Sequence, residues 1–353
     1  MQKRARKSRN ILKKSRSLSR TNILKIYMKS FFLSIAIGLL TISLSGQSLQ
    51  ISESRTSSKH LESDLTASVI TISESDGSVI NTNKYELKGS DSSFKIYPLQ
   101  NGAYIVRENV ANFVMYDTFG SVIRPISNSS QSKDGEKISE LAMDPMGKTI
   151  VLYNPQIRNG SKRGSRAKVI GLENAERDIF FREDEEIRAV RVSESGEFIA
   201  IASGKEGSDD NVTVMDRYGN EIQTIAFDQQ VKGLNLYGSG SILTVFSEGR
   251  VAVYNVLSGE RLGSSSFRGA PLQFANYSAS DQIIVGLTGD LNGEILSNIE
   301  VRIINVAARK IASQEYSGTL QISDLDNITM TKKSRHNYTL SGMSKDLNLK
   351  ASF

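Results

Sequence analysis

A β-hairpin recurs about every 45 residues along this chain, and no other feature constrains its fold as tightly. The turn sits in 141–149 (LAMDPMGKT), 190–198 (VRVSESGEF), 234–242 (LNLYGSGSI) and 274–283 (FANYSASDQI), with weaker copies at 96–103 and 322–330. A second hairpin alternates with it in 113–123 (FVMYDTFGSVI), 212–222 (VTVMDRYGNEI) and 251–262 (VAVYNVLSGERL). Asp, Asn or Ser followed by Gly recurs in these turns; the side chain accepts backbone amides two residues on, and Gly takes the positive φ that closes the loop.

Two hairpins per period make a four-stranded unit, the blade of a β-propeller. With the strands of a blade named A to D from the channel outward, A–B hairpins are expected near residues 101, 146, 195, 240, 281 and 326. Seven C–D hairpins are expected, the first in 68–87 and the last in 338–353. Six A strands argue for six blades, with the surplus N-terminal hairpin closing the ring; seven blades with one incomplete is the alternative. Segments such as 149–153 (TIVLY) and 198–202 (FIAIA) are apolar on both faces, as strands sandwiched between neighbouring sheets require. The expected class is therefore all-β, over residues 67–353.

The formal charge of +6 belongs to a tail. Residues 1–30 carry 11 Lys or Arg and no acid; without them 33 basic residues face 38 acidic ones, a balance of −5. A mildly acidic body gives no reason to expect a nucleic-acid partner. Behind the tail (1–29) lies 31–44 (FFLSIAIGLLTISL), without a charge, inside a 17-residue segment (30–46) long enough for a short transmembrane helix. The preceding cations place the tail on the cytoplasmic side, where anionic lipid is the expected contact, and export everything beyond residue 46. A cleaved signal peptide is the rival reading, with small residues at Ser43 and Ser45 and a second start at Met28. Serine-rich residues 47–66 read as a linker. There is no Cys, hence no lipidated cysteine, disulfide or thiolate site, and a bacterial envelope protein fits better than a eukaryotic secreted one.

Strand order puts A–B and C–D turns on one face and B–C and D–A connections on the other. The long polar insertions fall on the second face, at 127–136, 155–167, 182–186, 204–211, 289–298 and 332–337, which is where binding to other envelope proteins is expected. Arg158, Lys162, Arg163 and Arg166 form its basic cluster; Glu183, Asp184, Asp209 and Asp210 form its acidic one. A bipolar surface of this kind orients a charged partner, whereas mutual neutralisation of solvated loops requires no partner at all.

No catalytic, cofactor or metal site is expected. Asp290-Leu-Asn-Gly-Glu294 lacks the alternating carboxylates of a calcium loop and reads as a hairpin tip. His60 lies in the linker, and His336 stands among Lys332, Lys333 and Arg335, which repel a metal ion. No Gly-x-Ser-x-Gly elbow exists. A hydrolase or ligand-binding protein using carboxylates at the channel mouth is the alternative function. An outer-membrane barrel is disfavoured, because aromatic residues are 7% and Trp is absent.

The period resembles the WD40-like and quinoprotein-like propeller superfamilies over 67–353. The Trp-Asp and Gly-His signatures of WD40 repeats are missing, as is the tryptophan-bearing signature of quinoproteins. The resemblance implies a rigid platform for other proteins and carries no quinone cofactor with it.

Overall fold

The structure is a computed structural model. It describes residues 38–42, 49–60, 63–73, 79–88, 95–107, 113–127, 140–159, 162–171, 176–237, 239–278, 282–307, 309–322, 325, 328–334, 337–341, 343 and 347–350. These residues fold into seven antiparallel sheets, numbered I to VII in chain order, each a meander of consecutive strands.

Sheet I contains β1 (Gly38–Ile42), β2 (Leu49–His60), β3 (Ser63–Ser73) and β4 (Val79–Lys88). Sheet II contains β5 (Lys95–Pro98), β6 (Tyr104–Arg107), β7 (Phe113–Tyr116) and β8 (Val122–Ser127). Sheet III follows with β9 (Glu140–Met143), β10 (Ile150–Asn159), β11 (Lys162–Ile170) and β12 (Glu176–Glu183). Sheet IV has β13 (Glu186–Val192), β14 (Phe198–Gly204), β15 (Asp210–Asp216) and β16 (Glu221–Phe227). Sheet V has β17 (Gly233–Tyr237), β18 (Ile242–Phe246), β19 (Arg250–Asn255) and β20 (Arg261–Ser266). Sheet VI has β21 (Leu272–Ser278), β22 (Ile283–Asn292), β23 (Ile295–Asn305) and β24 (Lys310–Tyr316), with the short β25 (Leu320–Gln321) beside β23. Sheet VII has three strands, β26 (Thr329–Ser334), β27 (Asn337–Ser341) and β28 (Leu347–Lys350).

Six four-stranded antiparallel sheets in an all-β chain are consistent with a propeller. Five buried apolar layers join sheets II to VII pairwise in sequence. Between III and IV, for example, Val151, Val169 and Phe180 meet Val190, Ile199 and Ile201. Each fully buried Val, Ile or Leu adds roughly 1.5–3 kcal/mol, so these layers hold the array together. Sheet II is covered on both faces: Ile105 and Met115 face sheet III, while Tyr104, Val106 and Tyr116 are buried on the opposite side. The rings of Tyr104 and Tyr116 stack there at 5.4 Å.

The first five expected A–B hairpins are β5–β6, β9–β10, β13–β14, β17–β18 and β21–β22. The sixth differs. Leu320 and Gln321 pair with Leu296 and Ile295 of β23, so β25 joins sheet VI and β26 is the inner strand of sheet VII. Burial of Leu320 in the VI–VII layer gives the physical reason. The N-terminal C–D hairpin is β3–β4, within a sheet of four strands.

Of the expected anchor (30–46), Gly38–Ile42 is strand β1, paired with Leu49–Glu53; residues 30–37 and 43–46 lie outside the described residues, as does the tail. Much of the segment read as a linker is strand β2 and the start of β3. Its alternation of Ser with Leu, Ile and Thr is compatible with a ladder as well as with a coil. Among the described residues no helix is long and apolar enough to cross a membrane.

Candidate functional site

The two faces are made differently. On the A–B face, side chains and amides of one turn reach the next sheet. The Asp144 carboxylate is buried and accepts the amides of Met146 (2.9 Å) and Thr149 (2.5 Å), which shapes the turn of sheet III. The Thr149 hydroxyl then donates to the Gly196 carbonyl of sheet IV at 2.9 Å. The Gln100 amide donates to the Pro145 carbonyl at 2.8 Å, and the Ser195 hydroxyl to the Ser239 carbonyl at 3.4 Å. Gly196 has φ +73°, a conformation that a side chain there would strain.

On the B–C face, two insertions expected as loops continue as strands. β10 and β11 pair up to Asn159 and Lys162, and β22 and β23 up to Asn292 and Ile295, so two hairpins rise above their neighbours. The ladder shifts register at Pro155, which has no amide to donate, and resumes at the Ile157–Gly164 pair. The Asp290–Glu294 segment is the tip of the second hairpin, with the Asp290 carboxylate accepting from the Asn298 side-chain amide at 2.8 Å.

Beside the first tall hairpin a groove of about 660 Å³ separates β12 from sheet IV. Its lining includes Ile157, Arg163 and Arg166 from sheet III, Phe180, Phe181 and Glu183 from β12, and Thr213, Met215 and Gly219 from sheet IV. Phe180 is buried against Met215, whereas Phe181, also in the lining, is 55% exposed. Ile179 lies over Gly219, where a Cβ would come within 2.3 Å of it. β12 is the outer strand of its sheet.

The eight charged residues singled out from sequence have different fates. Arg158 pairs with Arg163, and Asn159 with Lys162, in the backbone ladder; the side chains of Arg158 and Lys162 lie outside the described residues. Arg163 is exposed at the groove, with no side-chain partner among the described residues. Arg166 makes a two-pronged contact with Asp178, at 2.9 and 3.1 Å to Oδ1 and 3.0 Å to Oδ2, and Lys168 meets Glu176 at 2.8 Å. Arg166 and Lys168 are thus paired within their own sheet. Glu183 lines the groove. Asp184 has φ +58°, and its amide donates to the Arg163 carbonyl at 3.0 Å, which fixes the D–A connection. Asp209 is exposed in the β14–β15 turn.

Asp210, by contrast, is 1% exposed. Its Oδ2 accepts the Val231 amide at 2.7 Å and stands 3.8 Å from Arg188 Nε. The carboxylate fits because residue 204 is Gly; a Cβ there would fall 1.9 Å from Oδ1. Oδ1 has no hydrogen-bond partner among the described residues. Burial raises the pKa of Asp210, opposed by the Val231 amide and Arg188 and reinforced by Glu185 and Glu186. The residue is an internal strut rather than a surface charge.

Sequence reasoning missed Phe181 and the sheet IV wall. The adjacent Phe180 and Phe181 carried the signal, since neighbours on a strand face opposite ways. A second cavity, of about 480 Å³, lies where the ends of the inner strands of sheets III to VI meet sheet VII, on the A–B side. Among the described residues lining it, Glu194 is the one carboxylate.

No family model matches the chain, and no curated protein does. Among solved structures the chain is similar to the Dos1 propeller, with 11% identity, 82% of this chain and 74% of that one covered, and a TM-score of 0.49. It is similar to the β-propeller domain of Cps50 (Swd1) from Myceliophteria thermophila at 11% identity, covering 85% and 100%, with a TM-score of 0.47. A eukaryotic initiation factor gives 9% identity, 82% and 91% coverage and a TM-score of 0.44. Likenesses at this level carry no argument; the architecture rests on the sheet order.

Proposed function

We propose that this chain is a non-enzymatic docking platform, held by an N-terminal anchor at the bacterial inner membrane with its sheets on the extracytoplasmic side. The observation that carries the docking role is the groove beside β12. An exposed phenylalanine, an arginine with no side-chain partner among the described residues and an outer strand lie together there, in a groove that runs along β12 from the tall hairpin. Aromatic and arginine side chains dominate the energetics of protein interfaces, and an outer strand offers backbone groups to an incoming one. The reading also takes the array as a closed ring, supported by the buried outer face of sheet II and by the cavity shared among five sheets.

Affinity capture of the full chain from its native membrane tests the docking role. Charge reversal at Arg158, Lys162, Arg163 and Arg166 together is expected to lower partner recovery several-fold. Unchanged recovery removes the basic edge of the groove from the interface. Topology is tested separately: protease added outside intact spheroplasts should degrade residues 67–353 and spare the tail, and the opposite pattern contradicts export.

A further inference from the structure

The cavity on the A–B side has a composition that selects a ligand. Its volume, about 480 Å³, is that of a small-molecule site. Aromatic walls come from Tyr237, Phe274 and Tyr277, and Val192, Leu236 and Met330 add apolar surface. Tyr237 and Tyr277 meet edge to face at 6.3 Å and 82°, and Tyr237 remains partly exposed.

The polar groups of the lining are unequal. Arg191 Nε donates to the Leu234 carbonyl at 2.9 Å, and the Asn235 side-chain amide to the Ala275 carbonyl at 2.6 Å, so both serve to tie one sheet to the next. Glu194 is different. It is exposed and has no hydrogen bond or ion pair among the described residues. The turn that carries it is fixed on both sides: Ser193 Oγ accepts the Phe198 amide at 3.1 Å, and the Gly196 amide donates to the Ser193 carbonyl at 2.9 Å. A carboxylate on a rigid turn, unpaired among the described residues, is already in place for a cation, with little further ordering needed on binding. Glu194 lies beyond the end of β13 and Arg191 within it, so the negative charge sits at the rim and the tethered positive charge deeper.

We propose that this cavity binds a small primary ammonium compound with a compact apolar or aromatic body, the ammonium paired with Glu194 at the rim and the body seated between Tyr237, Phe274 and Met330. Tyrosine faces attract cations through the ring quadrupole, and a charged hydrogen bond to a carboxylate sets the orientation. The ammonium stays at the rim because Arg191 repels it from the interior. This site is independent of the groove beside β12 and of the docking role.

The full chain in detergent micelles, titrated with phenethylammonium chloride and followed by saturation-transfer NMR and calorimetry, tests the assignment. Saturable binding is expected, with 3-phenyl-1-propanol, of similar shape but neutral, at least tenfold weaker. Glu194→Gln should weaken phenethylammonium about tenfold while leaving the neutral compound and the thermal melt unchanged, since the carboxylate is exposed and makes no bond among the described residues. Tyr237→Ala should weaken both compounds, and Arg163→Glu neither. Absence of saturable binding overturns the proposal. So does equal affinity for the neutral compound, or a Glu194→Gln variant that binds as the parent does.

Discussion

On the A–B face the turns of sheets II, III and IV each donate to a carbonyl of the next sheet, through Gln100, Thr149 and Ser195. On the B–C face hairpins β10–β11 and β22–β23 extend beyond the neighbouring turns, the second flanked by β25, and the ion pairs of the first are made within a single sheet, Arg166 with Asp178 and Lys168 with Glu176. One set of strands therefore supplies a face whose turns tie sheets II to V together and a face whose first tall hairpin keeps its ion pairs within sheet III, while the Leu272 amide reaches the Glu248 carbonyl of sheet V at 2.7 Å. With docking on the second face as proposed, the difference separates stability from recognition in space. Substitutions on the first face should register in unfolding, and those on the second in binding.

The largest effect expected from that separation is at Asp144. Asp144→Ala leaves the amides of Met146 and Thr149 without their acceptor in a buried turn, a loss of about 2–3 kcal/mol. Asp209→Ala, exposed on the other face, should stay within about 0.5 kcal/mol. Urea unfolding followed by tyrosine fluorescence measures both, the chain having no Trp. Equal losses would erase the contrast between the faces.

Asp210 sharpens it, as a B–C-side residue that behaves like a core one. Its pKa in the folded state is raised, chiefly by burial, so folding favours the protonated form. Its contribution to stability is therefore fully present below the ordinary aspartate pKa of about 3.9 and is lost as pH rises through the raised value. Asp210→Asn lacks that titration. The stability of the variant relative to the parent should increase from pH 3 to pH 7, and a flat difference would contradict the buried, disfavoured carboxylate.

Thr149→Val removes one hydrogen bond between sheets while keeping the side-chain shape, an expected loss of about 1 kcal/mol in the same unfolding assay. The smallest effect on stability, within about 0.5 kcal/mol, belongs to Arg163→Glu. That variant should instead reduce partner capture, which is the signature of a residue serving recognition alone.

How much was legible in the sequence follows from how local each signal is. The turns near 146 and 195 carry their own geometry, because Asp144 and Ser193 cap amides within five residues. The turn near 326 failed as an indicator because the partner of Leu320 is set by the height of β23, a contact distant in sequence. Charge misled at 155–167, where a ladder persists under a basic surface. It misled again at Asp210, whose burial depends on the space above Gly204 and the amide of Val231. The groove was half visible: Arg163, Arg166 and Glu183 stood out as charges, but Phe181 and the wall of sheet IV meet them only through packing.

Photo-cross-linking in intact cells tests the central claim most directly, with benzoylphenylalanine placed in turn at position 181, beside the groove, and at position 257, an exposed tip of the β19–β20 turn on the opposite face. A discrete cross-linked protein from position 181, lost on Arg163→Glu and absent from position 257, is the predicted result. Capture from position 257 and none from 181 would contradict the assignment of docking to the tall-hairpin face.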